Sequence, residues 1–127
     1  MANDEIERLL NEVGNVLAQD TAYPLDGTFL YTEAASQMVD MSIFKDLGDH
    51  LLFRWPMHGL GDVLLELWEA SDPKKRWVAM QYWITDGQFT ASFTYPEEID
   101  PNERTMDRRD RIVRQRYGNK RIVYPSL

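Results

Sequence analysis

The chain has 127 residues, no cysteine and a formal net charge of −7, which fits one domain over residues 1–127 with its own core. The missing thiols exclude disulfides and thiolate metal ligands. No apolar run reaches the roughly 20 residues of a membrane span, and the acidic start MANDEIERLL is unlike a signal peptide. These features predict a cytoplasmic protein with no membrane partner.

Charge is unevenly distributed along the sequence. Residues 1–99 carry 17 acidic and 6 basic side chains, whereas residues 100–127 carry 4 acidic and 8 basic ones. Because phosphate binding relies on Lys and Arg, the acidic body argues against nucleic acid and favours a basic macromolecular partner. The alternative is a solvated surface that only keeps the protein soluble.

An amphipathic helix is predicted over residues 3–20. Gly14 either weakens the middle of this helix or lets another element come close. Pro24 and the turn residues Asp26 and Gly27 break the helical pattern. The apolar face has helical spacing and consists of Ile6, Leu9, Leu10, Val13, Val16 and Leu17.

The middle of the chain predicts strands followed by a second helix. The segments TFLYTEA and HLLFRW are rich in aromatic and aliphatic residues, as strands are. Between them, SQMVDMSIF predicts either a third strand or an extension of the first. LGDVLLELWEA then predicts a helix with one apolar stripe, formed by Leu60, Val63, Leu64, Leu67 and Trp68.

A β-hairpin is predicted around Asp86-Gly87, a pair typical of two-residue turns. This turn pairs Thr85 with Gln88 and places alternate residues on a core face. The reverse face then carries Trp83 and Gln81, with Trp77 at its far end. The core face contains Val78, Met80, Tyr82, Ile84, Phe89, Ala91, Phe93 and Tyr95.

A basic C-terminal helix is predicted to start at Asp100-Pro101 and to stop at Gly118-Asn119. Its apolar content is thin, so we expect it to contact the sheet along one narrow edge. Six arginines lie between positions 104 and 116, interleaved with Asp107 and Asp110. Neutralisation of the acidic body is the favoured use of these arginines, ahead of partner docking or nucleic-acid binding. The tail KRIVYPSL predicts a short extended piece.

Catalytic and metal-binding patterns are scarce. His50 and His58 flank a predicted strand without ligand spacing, and no glycine-rich phosphate loop or nucleophile elbow occurs. Glu33 lies within a predicted strand, where a carboxylate is either a perturbed catalytic group or, more commonly, paired with an arginine or facing water. We therefore predict a protein that is not an enzyme and that has no cofactor and no metal.

The ordered motifs FLYTEA, LLELWEA, DGQFTASFTY and a closing helix ending in YG resemble the YezG-like family over roughly residues 5 to 118. That resemblance implies a bacterial immunity protein, or antitoxin, of polymorphic toxin and contact-dependent growth inhibition systems. It also implies an antiparallel sheet with helices, and neutralisation by binding a toxin domain, commonly a nuclease. Immunity proteins vary most where they touch their toxins, so the resemblance assigns no functional residues.

The resulting fold prediction is α+β, with an antiparallel sheet of about four to five strands and N-terminal, central and C-terminal helices. Its predicted partner is the C-terminal domain of a cognate toxin, while the oligomeric state is left open. Two alternatives are a small ligand-binding or hydrolase-like domain using Glu33, which a pocket lined by Glu33 and aromatic residues would favour, and an acidic chaperone or adaptor for a secreted protein. Aromatic anchors ringed by charge suit toxin binding, and the candidates are Trp83, Gln81, Trp55, Glu33, Asp40 and Asp86.

Overall fold

Residues 2–125 are described by the structure, a computed structural model, and they form three α-helices and six β-strands. None of these helices is both long enough and apolar enough to cross a membrane. The helices are α1 (Ala2–Leu17), α2 (Leu60–Ala70) and α3 (Thr105–Tyr117). The strands are β1 (Thr28–Ala35), β2 (Met38–Asp46), β3 (His50–Arg54), β4 (Ala79–Thr85), β5 (Gln88–Thr94) and β6 (Arg121–Val123).

All six strands form one sheet in the order β5-β4-β1-β2-β3-β6. Every neighbouring pair is antiparallel except β3 and β6, which run parallel. The predicted α+β class is confirmed, with one strand more than the upper expectation. Residues 38–46 form a strand of their own, which was one of the two predicted alternatives, and the tail adds β6 as the sixth strand. The last two residues of the predicted tail lie outside the described part of the chain.

The β4–β5 hairpin has the predicted register. Asp86 and Gly87 both have positive φ, at 53° and 74°, as a two-residue hairpin turn requires. Thr85 pairs with Gln88, and the pairing continues without a bulge to Ala79 and Thr94. The turn chemistry therefore specified which side chains of the hairpin share a face.

Helices α1 and α2 pack on one face of the sheet, and their apolar stripes bury the larger core. Tyr82, Met80 and Ile84 from β4 meet both helices there, as the hairpin register predicts. The predicted stripes of the two helices are confirmed, since their members are buried or half-buried in this core. The fully or nearly fully buried helix residues are Leu9, Leu10, Val13, Val16, Leu17, Leu60, Leu64 and Leu67.

The position predicted for Trp77 is wrong. Strand β4 begins only at Ala79, and a bend at Val78 interrupts the alternation before it reaches Trp77. The indole therefore turns into the α1/α2 core, where its ring lies 5.5 Å from that of Phe93. Its backbone carbonyl accepts a hydrogen bond from the Trp68 indole at 2.9 Å, which ties α2 to the segment entering β4.

The predicted start of the third helix is also wrong. The Asp100 carboxylate accepts a hydrogen bond from the amide of Asn102 at 2.9 Å, so it closes a tight turn instead of capping a helix. Helix α3 begins five residues later, at Thr105, and it ends at Gly118 as predicted. It packs on the other face of the sheet, where Ile112 and Val113 meet Phe29, Phe44 and the rest of a second, smaller core.

Gly14 allows a close approach between α1 and β4. A Cβ added there would lie 2.8 Å from the Tyr82 hydroxyl, which donates a hydrogen bond to the Leu10 carbonyl at 2.8 Å. Tyr82 is fully buried and has no room to move. We expect Gly14→Ala to lower the free energy of unfolding by about 1 kcal/mol, because overpacking outweighs the gain in helix propensity.

Urea unfolding measures the effect of Gly14→Ala in the wild-type protein and in the Tyr82→Phe variant. In the Tyr82→Phe background the clashing oxygen is gone, so the same Gly14→Ala change is expected to stabilise by up to about 1 kcal/mol. Stabilisation of similar size in both backgrounds would show that the Tyr82 hydroxyl does not restrict this site.

Candidate functional site

Five of the six predicted toxin-binding residues lie on the same face of the sheet. Trp83 and Gln81 on β4 pair with Phe29 and Tyr31 on β1, and Glu33 on β1 pairs with Asp40 on β2. Directly paired residues point to the same side of a sheet, so this set shares the face on which α3 packs. Trp55 follows β3 on that face, and its ring contacts Phe53 edge-on at 5.2 Å. The sixth residue, Asp86, lies apart from them at the exposed hairpin turn.

Helix α3 covers the part of this face that contains Trp83. The Arg116 guanidinium lies 4.0 Å from the centroid of the Trp83 ring and 5.0 Å from that of Phe29. Trp83 is consequently half-buried beneath the C-terminal turn of the helix. This cation–π packing favours a role for Trp83 in holding α3 on the sheet, and toxin contact by Trp83 stays a prediction.

The beginning of α3 leaves the sheet open and creates a groove. A pocket of about 380 Å³ and a neighbouring one of about 220 Å³ share Glu33, Asp40 and Thr105, so they form one continuous depression. We call this depression the α3 groove. Its lining comes from β1, β2, β3, the residue before β4 and the first turns of α3, and consists of Tyr31, Glu33, Ala34, Ala35, Met38, Asp40, Met41, Ser42, Phe53, Val78, Thr105, Met106 and Arg109.

Exposed apolar side chains gather around the α3 groove. Met38, Trp55, Met106 and Tyr124 are each more than half exposed, and they are the large hydrophobic residues most open to solvent in residues 2–125. Met38 and Met106 line the groove, while Trp55 and Tyr124 both contact its wall residue Phe53. Contiguous exposed apolar surface of this kind marks sites of protein association or ligand binding.

Glu33 is fully engaged at the floor of the α3 groove. Its carboxylate accepts hydrogen bonds from Arg108 at 2.8 and 2.9 Å, from the Tyr31 hydroxyl at 2.5 Å and from the Thr105 hydroxyl at 3.1 Å. Burial, together with the neighbouring carboxylate, raises the pKa of Tyr31, which keeps its proton for that bond. The expectation that Glu33 pairs with an arginine is confirmed, and the pair fixes the first turn of α3 on the sheet.

Asp40 is the charged group of the groove that is left free. The basic lining residue, Arg109, is engaged by Ser42, Asp110 and Tyr124 at 3.0 to 3.3 Å. Asp40 is exposed, and across residues 2–125 it forms no ion pair. The α3 groove therefore offers apolar walls and one unpaired carboxylate, which suits an apolar side chain flanked by a cation.

The histidines contribute nothing to this groove. His50 lies at the start of β3, where its Nδ1 is 2.6 Å from the Asp49 carboxylate. In the described part of the chain, no group of three or more His, Asp or Glu side chains is arranged to hold a metal ion.

Sequence reasoning missed several groove residues. Met106 is one of the few apolar residues of the predicted third helix, yet in the first turn of α3 its side chain is exposed and lines the groove. Phe53 was not predicted as a site residue, because nothing in the sequence places it and the predicted candidate Trp55 beside Asp40. Tyr124 lies in the predicted extended tail, and its alternation with Ile122 beside β3 was the one available signal.

Comparisons with known proteins leave the family open. A scan against protein-family models finds no match to this chain, and a search of curated proteins finds no significant match. The resemblance to the YezG-like family therefore stays a prediction based on the ordered motifs.

Proposed function

We propose that this protein is a YezG-like immunity protein that binds a bacterial toxin domain in the cytoplasm and neutralises it. The observation that carries the proposal is the concentration of Met38, Trp55, Met106 and Tyr124 around a groove with a free carboxylate, Asp40. Binding energy at protein interfaces is concentrated in a few aromatic and other large side chains surrounded by polar groups. The α3 groove has this composition.

The charge distribution supports a basic partner. Helices α1 and α2 expose seven acidic side chains on the opposite layer, and their one basic residue, Arg8, is bound to Glu5 at 2.7 Å. An acidic inhibitor associates quickly with a basic nuclease domain, because long-range attraction steers the encounter. We therefore propose a nuclease as the toxin, with association that slows as salt is added. The exposed acidic residues of the two helices are Asp4, Glu5, Glu7, Glu12, Asp62, Glu66 and Glu69.

A ligand-binding function is the second candidate, because the α3 groove is lined by Glu33 together with Tyr31 and Phe53. Hydrolysis by Glu33 is less well supported. A general base needs a free lone pair directed at its substrate, and the Glu33 oxygens already accept bonds from Tyr31, Thr105 and Arg108. The groove is thus better suited to binding an apolar group than to catalysis. An adaptor function would place an amphipathic peptide in the same groove.

Co-expression tests the proposal. The C-terminal domain encoded by the gene immediately upstream should arrest growth when it is produced alone, and production of this protein in the same cells should restore growth. An unrelated acidic protein of similar size is the control for nonspecific charge effects. Unchanged toxicity in the presence of this protein would contradict the immunity function, and a pull-down that recovers a short helical peptide would support the adaptor instead.

A further inference from the structure

Strand β5 forms an unprotected edge of the sheet. It is the first strand in the sheet order, and no strand within residues 2–125 pairs with its outer side. Natural edge strands are usually blunted by lysine, proline, a bulge or short length. The seven residues of β5, QFTASFT, include no charge and no proline, and their pairing with β4 is continuous. The amides and carbonyls on the outer side of β5 can therefore pair with a further strand.

When two copies of β5 run antiparallel, the side chains of one copy are complementary to those of the other. An antiparallel pairing of two copies centred on Ala91 places each Phe89 opposite a Phe93, and each Thr90 opposite a Ser92. Gln88 then meets Thr94 at the two ends. Aromatic pairs and hydroxyl pairs are favourable across neighbouring antiparallel strands, and the small Ala91 lies on the two-fold axis. We propose that β5 pairs with β5 of a second copy in this register, joining two six-stranded sheets into one.

The ends of β5 limit the pairing to this register. Gly87 belongs to the hairpin turn at one end, and Pro96 at the other lacks an amide hydrogen to donate. A shift by one residue would place the apolar side chains of one copy beside the polar face of the other. The seven residues between these limits therefore pair in full only around Ala91.

The dimer leaves the α3 groove accessible. Most of the groove is lined by β1, β2, β3 and α3, with Val78 before β4 as the remaining residue, and β4 lies between β1 and β5 in the sheet. Self-association through β5 therefore goes beyond toxin binding, and neither depends on the other. Each copy would present its own groove on the same face of the joined sheet.

A charge-swap experiment tests the dimer. Thr90 and Ser92 are exposed, so the double variants Thr90→Lys/Ser92→Lys and Thr90→Glu/Ser92→Glu should keep the fold, which circular dichroism and thermal unfolding verify. Sedimentation equilibrium of the wild type should give twice the monomer mass of 14.9 kDa. Each charged variant alone should dimerise about tenfold or more weakly, because like charges oppose each other across the axis. An equimolar mixture of the two variants should regain the dimer mass, because Lys then faces Glu.

Three outcomes would overturn this proposal. The first is a wild-type protein that stays monomeric across the concentration series. The second is a dimer that is unaffected by either charged variant, and the third is a mixture of the two variants that fails to regain the dimer mass. If the wild type is monomeric and its folded charged variants also lose toxin binding, a toxin strand occupies the β5 edge instead.

Discussion

Replacing Glu33 by alanine is expected to destabilise the protein by about 3 kcal/mol or more, because buried Arg108 loses its closest carboxylate partner and keeps only Glu103, at 3.6 Å. The Arg108 side chain is 7% exposed and that of Glu33 is 16% exposed. Arg108 also donates hydrogen bonds to the carbonyls of Asp100 and Glu103, so it cannot swing out to water without releasing the turn before α3. The substitution also removes the acceptor for the Tyr31 hydroxyl.

Denaturant unfolding of three variants measures this effect. Glu33→Ala should show the full loss, whereas the double variant Glu33→Leu/Arg108→Met should recover part of it, because it buries no charge. Glu5→Ala is the matched control, since it breaks an exposed Glu–Arg pair, and solvent-exposed pairs contribute little to stability. A cost for Glu33→Ala no larger than that of Glu5→Ala would show that the Arg108 pair does not hold α3 in place.

Replacing Trp55 by alanine is expected to raise the dissociation constant for the toxin domain by about 30-fold or more, if the α3 groove is the toxin-binding surface of the proposed immunity protein. Trp55 is more than half exposed and rests edge-on against Phe53, so its ring offers a large apolar surface without being needed for the core. Such a residue contributes to affinity through area that becomes buried only in the complex. Surface plasmon resonance should show the change mainly in the dissociation rate.

A pair of charge reversals separates contact from long-range attraction. Asp40→Lys and Glu12→Lys change the net charge equally, but Asp40 lines the groove and Glu12 is exposed on α1, on the opposite layer. Both variants should associate more slowly, and Asp40→Lys alone should also dissociate faster. Equal dissociation rates for the two variants, together with an unchanged affinity for Trp55→Ala, would exclude the α3 groove as the binding surface.

Local signals predicted the helices and the hairpin well. The Asp86-Gly87 turn is specified by backbone conformation alone, so the pairing of Trp83 with Thr90 followed from sequence. The same reasoning failed where a tertiary contact intervened. Trp77 left its predicted face because the strand begins two residues later, and its indole is more stable in the α1/α2 core.

The start of α3 shows a competition that the sequence does not reveal. Asp100 and Pro101 are good helix-starting residues, yet the segment forms a turn in which the Asp100 carbonyl accepts hydrogen bonds from the amide of Glu103 and from buried Arg108. Arg108 also donates a hydrogen bond to the Glu103 carbonyl, a contact that no local sequence pattern indicates. The delayed start of α3 is also what leaves the groove open above Glu33.

The α3 groove was beyond prediction for a different reason. Alternation shows which residues of one strand share a face, but it does not show which strands are neighbours. Glu33 and Asp40 come together through the β1–β2 pairing, and Trp55 joins them only because β3 follows in the sheet. Residue type alone therefore indicates each candidate separately, and the strand order of the structure groups five of them on one face.

Titration of the purified toxin domain with this protein tests the central claim most directly. Cleavage of nucleic acid by the domain is measured as the protein is added at fixed ionic strength. Neutralisation by binding predicts that cleavage falls linearly and stops when one chain is present for each toxin domain. Cleavage that continues at the starting rate with the protein in large excess would contradict the immunity function.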